Sequence, residues 1–147
     1  MYMYTPDIIG MLTLNGKPLS SQLVVLRVDV RGTIHEFQTI TDANGSFAFP
    51  ALEEHESQDL LNLDQKYVLV FLKTHLANGE EVTIWESSID GYETYEFARE
   101  NMGNLNCEVT NEVYYFAFSY FGNGEDDTYV YSQCKLTGYV ESGVYES

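Results

Sequence analysis

Short strand-like runs, each closed by a turn rich in Gly or Asn, recur along most of this chain. That spacing restricts it to an all-β sandwich or barrel. The clearest signal lies near the front, where an apolar-rich run over residues 8–14 meets Asn15-Gly16-Lys17-Pro18. Asn-Gly between two such runs predicts a hairpin. Its return strand is expected over residues 22–30, with Leu26, Val28 and Val30 on one face and Arg27 and Asp29 on the other. That alternation marks a half-buried strand. Arg31-Gly32 then turns the chain into a polar strand over residues 33–41.

The stretch Thr41-Asp42-Ala43-Asn44-Gly45-Ser46-Phe47-Ala48-Phe49-Pro50 reads as a tight corner. Asp42 and Asn44 can bond their own backbone, Gly45 takes the left-handed position, and Phe47 and Phe49 point together into a core. Residues 51–64 show no strand period and read as a connecting loop with room for one short helix. The apolar run 67–72, between Lys66 and Lys73, is expected to be a central strand covered on both faces. After an Asn78-Gly79 turn, residues 81–86 set Val82 and Ile84 opposite Thr83 and Trp85. Residues 89–103 fit either an irregular crossover or a short helix. Strands return at 105–109, at 113–121, where Tyr114, Phe116, Phe118 and Tyr120 share a face, and at 128–136 beyond a Gly122–Asp127 turn.

The expected fold is an antiparallel β-sandwich over residues 1–140 with a short helical or irregular insertion, followed by a flexible C-terminal tail at 141–147. A chain of 147 residues can bury roughly 70% of its unfolded surface without metal or disulfide. Its twelve Tyr and eight Phe favour sheet.

The segment Gly10-Met11-Leu12-Thr13-Leu14-Asn15-Gly16-Lys17-Pro18-Leu19, followed by Thr41 to Pro50, resembles the carboxypeptidase regulatory-like, transthyretin-like (prealbumin-like) sandwich domain. Beyond residue 50 the chain is similar to a small bacterial family of stand-alone domains, with one Cys in an NLxCE-like strand and another near the C-terminus. Cys107 in Leu105-Asn106-Cys107-Glu108 and Cys134 in Tyr131-Ser132-Gln133-Cys134 stand at those places. This second resemblance implies a link to secretion-system effector loci and an immunity role.

The formal net charge of -16 disfavours nucleic acid and anionic membrane and favours a basic protein partner. It also suits a surface that is acidic only for solubility. The first residues lack a basic and apolar signal pattern, and no run is long enough for a membrane span, so a cytoplasmic location is expected.

Strand parity turns Cys107 and Cys134 toward the core, which suits buried, unreactive thiols, with a disulfide between neighbouring strands as the alternative. His35, His55 and His75 have no zinc-ligand spacing, and the Asp42-Asn44-Gly45 run lacks the distal Glu of a calcium loop. No metal or cofactor is expected. Nucleophile-elbow, phosphate-loop and Cys-His patterns are missing too, so no catalytic residue is assigned.

Candidate contact residues are the acidic loop positions Glu53, Glu54, Glu56, Asp59, Glu125, Asp126 and Asp127, with Trp85, Asp90, Tyr92, Glu93, Tyr95 and Glu96 as an aromatic and acidic group. Aromatic anchors supply interface energy, and complementary charge supplies selectivity. The expected role is an immunity-type protein, monomeric or homodimeric, that neutralises a basic effector of the type VI secretion kind. An adaptor or ligand-binding sandwich is the alternative and predicts an exposed groove or sheet edge. A transthyretin-like hydrolase would require a pocket lined by His35 or His75 and carboxylates.

Overall fold

A computed structural model of the chain describes residues 2–30, 32–54, 67–90 and 95–145. Within them lie β1 (Tyr2–Thr5), β2 (Ile8–Leu14), β3 (Lys17–Pro18), β4 (Leu23–Val30), β5 (Thr33–Ile40), β6 (Ser46–Phe49) and β7 (Leu52–Glu54). They are followed by β8 (Tyr67–His75), β9 (Glu81–Asp90), helix α1 (Glu96–Met102), β10 (Leu105–Glu108), β11 (Tyr114–Phe118), β12 (Thr128–Ser132) and β13 (Glu141–Val144). Seven strands form one antiparallel sheet in the order β13-β11-β12-β9-β8-β4-β5. The second sheet is built on β2, with β10 parallel to it on one edge and β6 and β3 antiparallel on the other. β1 and β7 form a separate antiparallel pair.

The all-β sandwich expected from the turns is present, with one short helix in the 89–103 insertion. Ile8 and Leu12 of β2, Phe47 and Phe49 of β6 and Leu105 of β10 share a core with Val24, Leu26 and Val28 of β4 and Val68, Val70 and Leu72 of β8. Each such fully buried side chain contributes about 1.5–3 kcal/mol. The helix adds Phe97, Ala98 and Met102 along one stripe, and the Phe97 ring stacks on Phe118 of β11 at 4.5 Å.

Several elements depart from the sequence reading. The Asn15-Gly16 turn forms as expected, with φ of 54° and 81°, but its return strand is only the two residues of β3. Pro18 has no N–H to extend the ladder, and Ser21 at φ 56° turns the chain into the other sheet. β8 is covered on one face only, since Leu69, Phe71 and Lys73 on the other are half-buried. The C-terminal segment is not a loose tail, because Glu141–Val144 pairs antiparallel with β11.

The parity read for β9 also fails. A bulge lies between Leu72 and Lys73 on the partner side, so Leu72 opposes Trp85 while Lys73 opposes Thr83. The extra residue resets the alternation. Val82 and Trp85 therefore both enter the core, and Trp85 is 0% exposed. Its indole Nε1 donates to the Ser87 hydroxyl at 2.8 Å.

Beside this bulge the chain changes sheets. The Gln133 N–H donates to Thr83 O at 2.8 Å, and two residues later Lys135 N–H donates to Asn106 O of β10 at 3.0 Å. Ser132 Oγ donates to Ile84 O at 2.6 Å and accepts the Cys134 N–H at 2.9 Å. Gln133 Oε1 accepts the Thr83 N–H, and its Nε2 donates to Asn111 O and Val109 O. Cys134 stands opposite Cys107. Both side chains face the core as expected, but they form a disulfide rather than two free thiols. Parity alone gives direction and cannot show that one strand crosses to sit beside β10.

Two outcomes follow from this packing. Gly10 of β2 lies opposite Phe47 of β6, whose ring fills the space a Cβ would need. Gly10→Ala should therefore cost about 1–3 kcal/mol in urea unfolding, and adding Phe47→Leu should recover part of the loss. The disulfide closes a separation of 27 residues, so Cys107→Ala with Cys134→Ala should lower stability by about 3 kcal/mol. Thermal unfolding with a strong reductant should bring the unmutated protein toward that variant.

Candidate functional site

The face of the seven-stranded sheet turned away from the core carries a continuous surface. One cross-strand row runs Glu36, Arg27, Phe71, Glu86, Tyr131, Tyr115 and Gly143, a residue from every strand. At about 4.8 Å per strand the row spans about 29 Å. Three open depressions lie along the face, of about 490, 400 and 300 Å³.

The first depression is charged and includes Arg27, Asp29, Glu36, Lys73, His75 and Glu81. Lys73 Nζ lies 3.0 Å from Glu81 and 3.1 Å from Glu86. Burial pulls the Lys73 pKa down, but the hydrogen bonds to Glu81 and Glu86 outweigh it and the net shift is upward. His75 Nε2 stands 3.5 Å from Glu81 Oε2, which is the His-carboxylate groove that a hydrolase would require. Its His75 side chain is 62% exposed, however, and Lys73 shares the same carboxylate. No Ser, Thr or Cys is among the described lining residues, so no nucleophile stands beside the imidazole. His35 is half-buried on β5 opposite Val28, and among the described residues no group of three His, Cys, Asp or Glu could hold a metal.

The third depression is lined by Tyr115, Tyr129, Tyr131, Tyr145 and Glu141. Tyr115 and Tyr129 meet edge to face at 6.0 Å, and the Tyr131 and Tyr145 rings lie 4.8 Å apart. The Tyr115 hydroxyl donates to Glu141 and that of Tyr129 donates to Asp126, each at 2.8 Å. These bonds raise both phenol pKa values, so the phenols stay protonated and the rings are held in place. Leu69, Phe71, Glu86 and Ser88 line the depression between the two ends.

Few of the expected contact residues reach this face. Trp85 is excluded by the bulge that buries it. Tyr95 is half-buried and stacks on Tyr120 at 4.5 Å, inside an aromatic cluster with Phe97 and Phe121. Asp127 spends Oδ2 on the Tyr120 N–H at 2.8 Å, though it also borders the middle depression. Glu53, Glu96 and Glu125 are exposed on β7, α1 and the turn before β12. Glu56, Asp59, Tyr92 and Glu93 lie outside the described residues, as do the side chains of Glu54 and Asp90. Asp126 joins the tyrosine end through Tyr129.

The tyrosine end was missed, together with Glu86 and Glu141. Its signal was present in Thr128-Tyr129-Val130-Tyr131-Ser132, where two Tyr share the parity opposite a core Val.

A family model described as a domain of unknown function (DUF6795) matches residues 8–112. No curated protein and no solved structure matches the chain. The matched segment holds the charged end of the open face and stops before the strands that carry its tyrosines.

That segment also joins its turn motifs physically. Glu108 accepts the Asn15 N–H at 2.9 Å, the Gly16 N–H at 2.8 Å, and the Thr13 and Thr110 hydroxyls at 3.0 and 2.7 Å. Leu12 N–H donates to Gly45 O at 2.9 Å, and Asp42 Oδ1 accepts the Asn44 and Ser46 N–H groups as expected. A groove of about 680 Å³ runs past Glu108, Asn111 and Gln133, but Glu108 and Gln133 spend their polar atoms within the fold, and Asn111 Nδ2 donates to Gln133 O at 3.4 Å. Partial burial raises the Glu108 pKa, while the Gly16, Thr110 and Asn15 bonds outweigh it and hold it at about 2, against 4.5 in the unfolded chain. Because the folded value is the lower, the stabilisation is full above pH 4.5 and fades as pH falls toward 2. Glu108→Gln should therefore be less stable than the unmutated protein at neutral pH, with the gap closing as acid is added below pH 4.5 in chemical unfolding.

Proposed function

The chain belongs to the DUF6795 family, and from that premise we propose that it is a non-catalytic protein-binding sandwich that receives a basic segment of a partner on its open sheet face. The observation that carries this is the tyrosine end, where four rings form a floor and two carboxylates are fixed at its rim. A Lys or Arg over such rings gains about 0.5–2 kcal/mol each. Rigid tyrosines also lose little entropy when a partner covers them. Along the face Asp29, Glu36, Glu81, Glu86, Asp126 and Glu141 outnumber Arg27 and Lys73, and the net charge of -16 would draw a cationic partner in.

Carried one step further, the partner is a basic antibacterial effector of the type VI secretion kind, and the chain is its cytoplasmic immunity protein. The motif resemblance and the charge support this step. An adaptor or accessory module in a larger assembly is supported by the same open face, which serves an assembly as well as an inhibitor.

Co-expression with each basic protein encoded by a neighbouring gene separates the two. Growth rescue with a stable complex supports immunity, a complex without rescue supports the adaptor, and neither outcome ends both readings. In any complex recovered, Tyr129→Ala with Tyr131→Ala should weaken binding about 30-fold or more by calorimetry, as loss of an aromatic hot spot does. Glu53→Gln with Glu96→Gln should mainly slow association.

A further inference from the structure

The geometry points to a second, independent contact: two copies of this chain join edge to edge through β5, extending the large sheet across a two-fold axis. β5 is an outer strand of the seven-stranded sheet, and among the described residues only β4 pairs with it. The pairing runs without a break from Leu23 opposite Ile40 to Val30 opposite Thr33. Natural edge strands are guarded by Lys, Pro, a bulge or short length. β5 has eight residues, Thr-Ile-His-Glu-Phe-Gln-Thr-Ile, and its one charged guard is Glu36, with no Lys, Pro or bulge. It also exposes Ile34 at 50%, Phe37 at 40% and Ile40 at 62%. β13 at the opposite edge has four residues and begins with Glu141.

Charge selects a second copy as the occupant. A molecule of net charge -16 repels itself almost everywhere, but β5 carries a single acidic residue, Glu36, and Arg27 lies directly opposite it on β4. The backbone fixes which groups are free. Thr41 N–H donates to Gln22 O at 2.9 Å, so by alternation the odd-numbered residues bond β4. The N–H and C=O groups of Ile34, Glu36, Gln38 and Ile40 therefore point to the open edge.

One antiparallel register uses all of them. With Phe37 opposite its own symmetry mate, Ile34 meets Ile40, Glu36 meets Gln38 and His35 meets Thr39. The even-numbered pairs then exchange about eight hydrogen bonds, while the two Phe37 rings occupy a close, non-hydrogen-bonded pair. Centring the axis on Glu36 would oppose like charges, and a shift that pairs odd with even residues would put partners on opposite faces.

Sedimentation equilibrium tests this. The unmutated chain should form a species of twice 16.8 kDa, and its dissociation constant should fall as salt rises, since the opposing force is repulsion between acidic copies. Gln38→Pro removes an N–H that bonds nothing within the protomer, so it should yield a folded monomer that melts where the unmutated protein does when diluted below its dissociation constant, while Gln38→Thr should remain dimeric. Phe37→Cys should cross-link between chains on mild oxidation, and His35→Cys should not. A chain that stays monomeric up to millimolar concentration at ~1 M salt, where the screening length is about 3 Å, would overturn the proposal. So would a dimer that Gln38→Pro leaves intact, or a Phe37→Cys variant that fails to cross-link.

Discussion

The pairing of Gln133 with Thr83 is the contact on which most of this architecture depends. A bulge in β9 skips Ile84, and the regular pairing of β9 with β12 stops at Glu86. A buried backbone group left unpaired beyond that point costs about 1–3 kcal/mol. Gln133 supplies both partners, its N–H to Thr83 O and its Oε1 to the Thr83 N–H. With the bulge satisfied, Trp85 turns into the core and Glu86 turns out between Phe71 and Tyr131. The same segment carries Cys134 to β10 and closes the two sheets on one another. Packing of the core and the charge order of the open face thus share one cause.

What could be read in the sequence was local. The Asn15-Gly16 turn, the Asp42–Ser46 corner and the inward Phe47 and Phe49 are set within a few residues, and they form as expected. Glu108 shows the limit of such reading, because its motif and the Asn15-Gly16 motif are distant in sequence and meet only when β10 pairs parallel to β2. The β9 bulge was hidden for a related reason. An extra residue is defined by the partner strand, and alternation within β9 alone places Trp85 on the wrong face.

The open face was illegible for a different reason. Its aromatic end combines β11, β12 and the C-terminal strand, and the last of these has a composition, Glu-Ser-Gly-Val, that reads as tail. Only the pairing with β11 brings Tyr145 and Glu141 beside Tyr115 and Tyr131. The acidic loops are conspicuous in the sequence, yet Asp127 holds its own turn and Tyr95 packs internally. The disulfide also bears on location. Such bonds persist in oxidising compartments, while the bond here is buried on both sides and so shielded from small thiols. A cytoplasmic location is therefore a proposal that sits beside this bond rather than one derived from it.

The central claim is that the outward face of the large sheet is the working surface and that its occupant is basic. The most direct measurement is a magnetic-resonance titration of isotopically labelled protein with a peptide rich in Lys and Arg, following the tyrosine rings and backbone amides. Saturable shifts centred on Tyr115, Tyr129, Tyr131 and Glu86, lost in the Tyr129→Ala, Tyr131→Ala variant, are the predicted result. Shifts confined to Glu53, Glu96 and Glu125, or spread evenly over the acidic surface without saturation, would contradict it.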